Sequence, residues 1–212
     1  MKNIVIVCAG STGKEIYTVL NSINKEALLL GKTPPYQILG FLDDNIDALK
    51  DSDINVPIIG RISDWKPMDN EVYTIGALGK IKRIIVNELK ERGCRFETIV
   101  APWSIVSSDC KMGEGCFITA YSISAGVTLG NFVDVLGSML CPGTVVGDFT
   151  TTTGFTVVDN AIIGKEVFIG SHAVISPGVY IGDAAKVSAG SIVCENVKPG
   201  STVFGVPAVE IA

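Results

Sequence analysis

The stretch that decides the fold is residues 163–198, which divide into sixes as IGKEVF IGSHAV ISPGVY IGDAAK VSAGSI VCENVK. An aliphatic residue opens every six: Ile163, Ile169, Ile175, Ile181, Val187 and Val193. The fifth place is small or β-branched throughout, as Val167, Ala173, Val179, Ala185, Ser191 and Val197. Chance does not hold six hexads in phase. A hexapeptide period is the signature of a β-helix in which each hexad forms one flat side and three complete a coil. The opening aliphatics then stack into the core, and the fifth residue points into a narrow triangular interior.

Upstream the period persists with slips. Val106, Met112 and Ile118 are in phase, then Ile123, Leu129 and Val135, then Leu140, Val146 and Thr152, and Val157 meets the regular block. One residue is lost at each of the three boundaries, through a tightened corner or a misplaced phase. The count is fifteen hexads, about five coils.

Residues 1–100 follow a different grammar. NIVIVCA reads as a buried strand, followed by the small-residue turn GSTG and by KEIYTVLNSIN, in which Ile16, Val19, Leu20 and Ile23 fall at helical spacing. YQILGFLDD and EVYTIGAL read as further strands, KIKRIIVNELKERG as an amphipathic helix with a glycine stop, and RFETIVAP closes the half. Alternation of strand and helix predicts a small parallel α/β domain. The domains expected are therefore 1–100 and 101–212.

Composition narrows the function. The net charge is −5 with no Lys/Arg cluster, which argues against nucleic acid or an anionic membrane as the main partner. No apolar run reaches spanning length and the first residues do not form a signal peptide, so no membrane insertion and a cytoplasmic setting are expected. The six cysteines form no CxxC pair and only one histidine accompanies them, so no metal site is expected and free thiols are the default.

Several motifs together carry a family resemblance: Gly10-Ser11-Thr12-Gly13 after the first strand, Phe41-Leu42-Asp43-Asp44 after the second, Ile75-Gly76 with Lys82 and Arg83 following, the hexads, and Val203-Phe204-Gly205-Val206-Pro207-Ala208. In this order the chain resembles hexapeptide-repeat acyltransferases of the sialic-acid O-acetyltransferase and bacillosamine N-acetyltransferase type. The resemblance implies a Rossmann-like N-terminal domain for a nucleotide-linked sugar, an all-β left-handed parallel β-helix behind it, and a homotrimer. It implies acetyl-CoA as co-substrate, bound against Thr151, Ala189 and Gly190, and transfer to a sugar amine or hydroxyl in surface-glycan biosynthesis. The family's histidine-bearing stretch aligns with Cys141-Pro142-Gly143, a later Ser-His-Ile-Ser with Thr150–Thr153, and an early Ile-His-Pro with Val100-Ala101-Pro102. Three histidines are thus replaced. A paralogue that binds sugar nucleotide or scaffolds a trimer without transfer is the competing reading.

Three sets of residues remain as site candidates. Gly10, Ser11, Thr12 and Gly13 would stand at a helix N-terminus, where backbone N–H groups favour a phosphate, or form a plain strand-to-helix turn. Asp43 and Asp44 follow a strand, where they would meet a ribose hydroxyl or base edge, or begin a helix with a cap. His172 is the fourth residue of its hexad, five hexads beyond Leu140 and hence on another side of the prism. It is either a proton acceptor reaching the groove from there or an exposed corner residue. Cys141 lacks a neighbouring base that would make it a nucleophile.

Overall fold

A computed structural model describes all 212 residues, which form two compact units, Met1–Pro102 and Trp103–Ala212.

The first unit is a four-stranded parallel sheet with two helices. Its strands are β1 (Lys2–Val7), β2 (Tyr36–Leu42), β3 (Ile58–Gly60) and β4 (Glu71–Ile75), in the order β3-β2-β1-β4. The helices are α1 (Ser11–Leu29), after β1, and α2 (Gly79–Glu91), after β4. β1 is central and apolar, and Ile4, Val5, Ile6 and Val7 are fully buried. The helical spacing read from the sequence holds: Ile16, Val19 and Leu20 of α1 pack inward, as do Val86 and Leu89 of α2. The short β3 has no signal in the sequence strong enough to find it.

The second unit is a parallel β-solenoid of two- to four-residue strands. The first face carries Ile105–Val106, Ser122–Ile123, Met139–Leu140, Val157–Val158, Val174–Ile175 and Ile192–Val193. The second carries Lys111–Met112, Thr128–Leu129, Val145–Val146, Ile162–Ile163 and Tyr180–Ile181. The third carries Phe117–Thr119, Asp134–Leu136, Thr151–Thr152, Phe168–Ile169, Lys186–Val187 and Thr202–Gly205, and Ala208–Glu210 folds back antiparallel on the last of these. The opening aliphatics of all six regular hexads are buried, as are the fifth-place residues. Most inward-facing threonines satisfy their hydroxyls: Thr144, Thr150 and Thr156 donate to the carbonyls of Val158, Gly164 and Gly170 in the next coil at 3.2, 2.7 and 3.1 Å, while the buried Thr152 hydroxyl has no partner.

The three slips are shortened corners. Two fall where the third face turns to the first, between Ile118 and Ile123 and between Val135 and Leu140. The position of the third slip differs from the sequence reading. Val158 pairs with Leu140 and is fully buried, whereas Val157 faces outward, so the missing residue lies between Val158 and Ile163. Two adjacent valines conceal which one points in, and the tight Asp159-Asn160 corner, with Asn160 at φ 40°, decides it.

Residues in the left-handed region mark most corners. The first corner, from first to second face, uses Gly126, Gly143, Asn160 and Gly178; the second uses Gly115, Phe132, Phe149, Glu166 and Ala184; the third uses Gly137, Phe155, His172 and Gly190. Glycine occupies that region freely, and a side chain there costs about 1 kcal/mol.

Candidate functional site

In the first unit, the ends of β1, β2 and β4 converge on the N-terminus of α1. Gly10 is the helix N-cap, with no side chain bonded to the first-turn N–H groups, and Ser11, Thr12 and Gly13 form that turn. Gly13 is dictated by contact, since a Cβ there would lie 1.9 Å from the Cys8 carbonyl oxygen. A Cβ on Gly76 would lie 2.4 Å from Gly13 Cα. The two glycines therefore let α1 seat against the strand ends. Asp43 organises the loop: its Oδ2 accepts the Ala9 N–H at 2.8 Å and its Oδ1 the Asn45 N–H at 2.9 Å. Asp44 Oδ1 accepts from the Ser63 N–H and hydroxyl, each at 3.3 Å. Cys8, at φ 69°, keeps its proton; burial, and then Asp43 and Asp44, push its thiol up to about 12.

In the second unit, the third residue of each hexad stands at a corner, and the three corners treat its N–H differently. At the first corner Pro142 and Pro177 have no N–H to offer. At the second, side chains of the next coil take it at three places. Asn131 Oδ1 accepts from the Glu114 N–H at 3.1 Å, Asp148 Oδ1 from the Asn131 N–H at 2.8 Å, and Asp183 Oδ1 from the Lys165 N–H at 2.8 Å. At the third corner the equivalent groups belong to Gly154, Ser171 and Ala189, and no protein acceptor meets them. They form a rail of open donors, one per coil at about 4.8 Å spacing.

At the foot of this rail is an apolar cavity of about 440 Å³, walled by Trp103, Ile105, Tyr121 and Phe155 over Gly137 and Gly154. It occupies the stretch of corner where the coils are shortened. Phe155 and Tyr121 are 73% and 68% exposed.

Of the residues expected at a cofactor, Ala189 and Gly190 lie on the rail and Thr151 does not. Thr151 is buried on the third face, where its hydroxyl donates to Asp134 Oδ2 at 3.0 Å. The hydroxyls that do line the rail are Ser171 and Thr153, bonded to each other at 3.1 Å. Sequence reading missed Ser171 and Gly154, although counting back one coil from Ala189, and then another, finds them. Thr150 and Thr152 point into the prism.

His172 is the third-corner residue between Phe155 and Gly190, exposed and at φ 61°. Its ring lies 5.1 Å from that of Phe155, and no side chain hydrogen-bonds to it. Nothing holds a tautomer or aims the ring, which is the arrangement of a corner residue. Cys141 is half-buried; burial, and then Asp159, raise its thiol above the usual range, which opposes a nucleophilic role. All six cysteines are free, no cluster of His, Cys, Asp and Glu is arranged for a metal, and no helix is long and apolar enough to cross a membrane.

The comparisons agree with this architecture. Residues 160–195 match the family model described as bacterial transferase hexapeptide (six repeats). No curated protein sequence matches the chain. Among solved structures, the acetyltransferase domain of PglB from Neisseria gonorrhoeae superposes with a TM-score of 0.82 at 22% identity, with all of each chain covered. WeeI from Acinetobacter baumannii gives 0.81 at 23% identity, again over the whole of both chains. PerB from Caulobacter crescentus, solved with CoA and GDP-perosamine, gives 0.81 at 17%, covering all of this chain and 98% of its own. These likenesses show the fold, the solenoid of the hexapeptide transferases, and the resemblance read from the hexads stands.

Proposed function

We propose that this chain is an acyltransferase that moves an acetyl group from acetyl-CoA to an amino or hydroxyl group of a nucleotide-linked sugar, in surface-glycan biosynthesis. The observation that carries the reading is the unbroken rail of open N–H groups at Gly154, Ser171 and Ala189, on a prism whose other two edges are interrupted, by Pro142 and Pro177 at the first corner and by the acceptors over Glu114, Asn131 and Lys165 at the second. A flexible chain with amide carbonyls spaced along it, as in the pantetheine arm of CoA, is a ligand such a rail suits. PerB, which shares the fold, was solved with CoA and a sugar nucleotide, and the PglB domain also with acetyl coenzyme A.

In this reading the first unit is a Rossmann-like domain. The N–H groups of Ser11, Thr12 and Gly13 meet the sugar nucleotide's phosphates with the favourable end of the α1 dipole, and Asp43 and Asp44 hold the loops around it. The protein acts in the cytoplasm as a homotrimer. The outward residues of the first two faces support that assembly: Met139, Val145, Ile162 and Tyr180 are 38–53% exposed and apolar. In the reaction the acceptor's nitrogen or oxygen attacks the thioester carbonyl, and the rail holds the donor in line, so that positioning supplies much of the rate. The residues Cys141-Pro142-Gly143 favour a second reading, a binding protein that no longer transfers, because no imidazole stands there.

Calorimetric titration with acetyl-CoA, followed by a UDP-4-amino sugar, tests the proposal. Saturable binding of both, with acetylated product, is the expected result. Binding of the sugar nucleotide alone selects the second reading.

A further inference from the structure

At the foot of the rail, Trp103, Ile105, Tyr121 and Phe155 stand more than half exposed around one hollow of about 440 Å³. Large apolar side chains left in water and gathered on one concave site mark a place that a ligand covers. None of the residues lining the hollow is charged. Its floor is Gly137 and Gly154, which stack so closely that a Cβ on Gly137 would lie 3.5 Å from Gly154 Cα. Gly137 is at φ 60°, where the shortened corner turns. Gly154 has no such reason to be glycine. Its φ lies outside the left-handed region, and an added Cβ would meet only the Ser171 hydroxyl oxygen, at 4.0 Å. In the next two coils Ser171 and Ala189 hold the same place. Glycine at 154 therefore serves the hollow rather than the fold, since a side chain there would take up its space.

We infer that the hollow receives the donor's acyl chain, and that the group transferred is an apolar acyl longer than acetyl, of butyryl to hexanoyl size. This rests on the transferase reading and specifies its donor. Gly154 belongs to both features: its N–H begins the rail and its Cα floors the hollow. A ligand lying along the rail therefore runs into the hollow at one end. Only the acyl end of an acyl-CoA fits there, since the phosphates of the other end would lie among uncharged groups with nothing to pair them. An acetyl methyl, about a water's size at roughly 30 Å³, would leave most of the space unfilled. A longer chain covers the Trp103, Tyr121 and Phe155 rings and takes their apolar surface out of water. The transfer itself is the same for either chain. The acceptor's N–C or O–C bond forms at the thioester carbonyl, the C–S bond breaks, and the acceptor's proton ends on the departing thiolate.

The test is calorimetry of the whole protein with CoA, acetyl-CoA, butyryl-CoA and hexanoyl-CoA, on wild type, Gly154→Leu and Phe155→Gly. Each buried methylene contributes about fourfold in affinity, so wild type should bind butyryl-CoA roughly tenfold more tightly than acetyl-CoA, and hexanoyl-CoA at least as tightly as butyryl-CoA. Gly154→Leu fills the hollow and should reverse the order, with acetyl-CoA bound more tightly than hexanoyl-CoA. Phe155→Gly removes one wall at a corner whose φ of 60° suits glycine, and should shrink the preference for hexanoyl-CoA over acetyl-CoA roughly threefold or more. Free CoA reads the rail alone in each protein. A wild type that binds CoA and acetyl-CoA but holds the longer chains no more tightly, or more weakly as it would if a second copy covered the hollow, overturns the assignment and leaves the transferase reading standing. A preference that survives Gly154→Leu overturns it too. A wild type that binds none of the four removes the transferase reading, and this inference with it.

Discussion

Replacing Ala189 by proline deletes one donor of the rail and nothing else that the fold requires. The solenoid itself supplies the precedent, since Pro142 and Pro177 occupy the same hexad place at the first corner. The space is also available. Pro199 already sits above Gly182, where an added Cβ would lie 2.4 Å from its ring nitrogen, and Gly170 lies beneath Ala189 in the same way, where an added Cβ would lie 2.6 Å from the Ala189 nitrogen. The lost interaction is one hydrogen bond to a neutral amide carbonyl, worth about 1 kcal/mol, so the Kd for acetyl-CoA should rise roughly fivefold. Ser171→Pro deletes the next donor together with the hydroxyl bonded to Thr153, so its effect on acetyl-CoA binding should be at least as large. Thermal unfolding should be unchanged or slightly later, because proline restricts the unfolded chain by about 0.4–1 kcal/mol. The assay is calorimetry with acetyl-CoA alongside a melting curve. Proline variants that melt normally and bind acetyl-CoA as tightly as wild type would refute the rail as the cofactor's seat.

Two further outcomes follow from the polar interior and the second corner. Tyr73 is fully buried, takes the Trp65 indole N–H at 2.9 Å and donates its hydroxyl to Glu71, whose carboxylate also accepts the Met68 N–H at 3.0 Å. Tyr73→Phe leaves the indole and the carboxylate short of a partner and should cost about 1–3 kcal/mol in urea unfolding. Burial works against the charge on Asp148, but the Asn131 N–H and the Lys165 ammonium outweigh it and hold the carboxyl below its usual range. A depressed pKa means that this contribution is present above about pH 4 and is lost as the pH falls through the folded-state value. Wild type should therefore lose more stability than Asp148→Asn between pH 6 and pH 2.5, measured by denaturant titration at each pH.

How much was legible depends on whether side chain or backbone carried the signal. The hexads announced the solenoid because each opening aliphatic must point inward, and the alternation of β1, α1, β2, β4 and α2 followed from equally plain apolar spacing. The slip at Val157-Val158 was misplaced by one because either valine fills the core equally well. The rail left no mark of its own, since it consists of N–H groups that every residue but proline possesses. Only the pattern at the other corners betrays it, with prolines at 142 and 177 and Asn131, Asp148 and Asp183 standing over neighbours' donors. Thr151 was expected at the cofactor, and its hydroxyl is bonded instead to Asp134, one coil of 17 residues away.

The left-handed corners have a consequence for how this molecule varies. Phe132, Phe149, Phe155, Glu166, His172 and Ala184 all hold a backbone conformation that glycine would occupy with less strain. Phe132 is buried and stacked on Phe149 at 5.1 Å, whereas the side chains of Phe155, His172 and Ala184 leave the prism at its edges, exposed and away from the stacked aliphatics inside. The exposed corner positions therefore behave as margins on which residues can be exchanged, or simplified to glycine, while the text between them stays the same. Stability can be gained there one residue at a time, and new binding chemistry can be written there at a similar small cost, without the core being rebuilt.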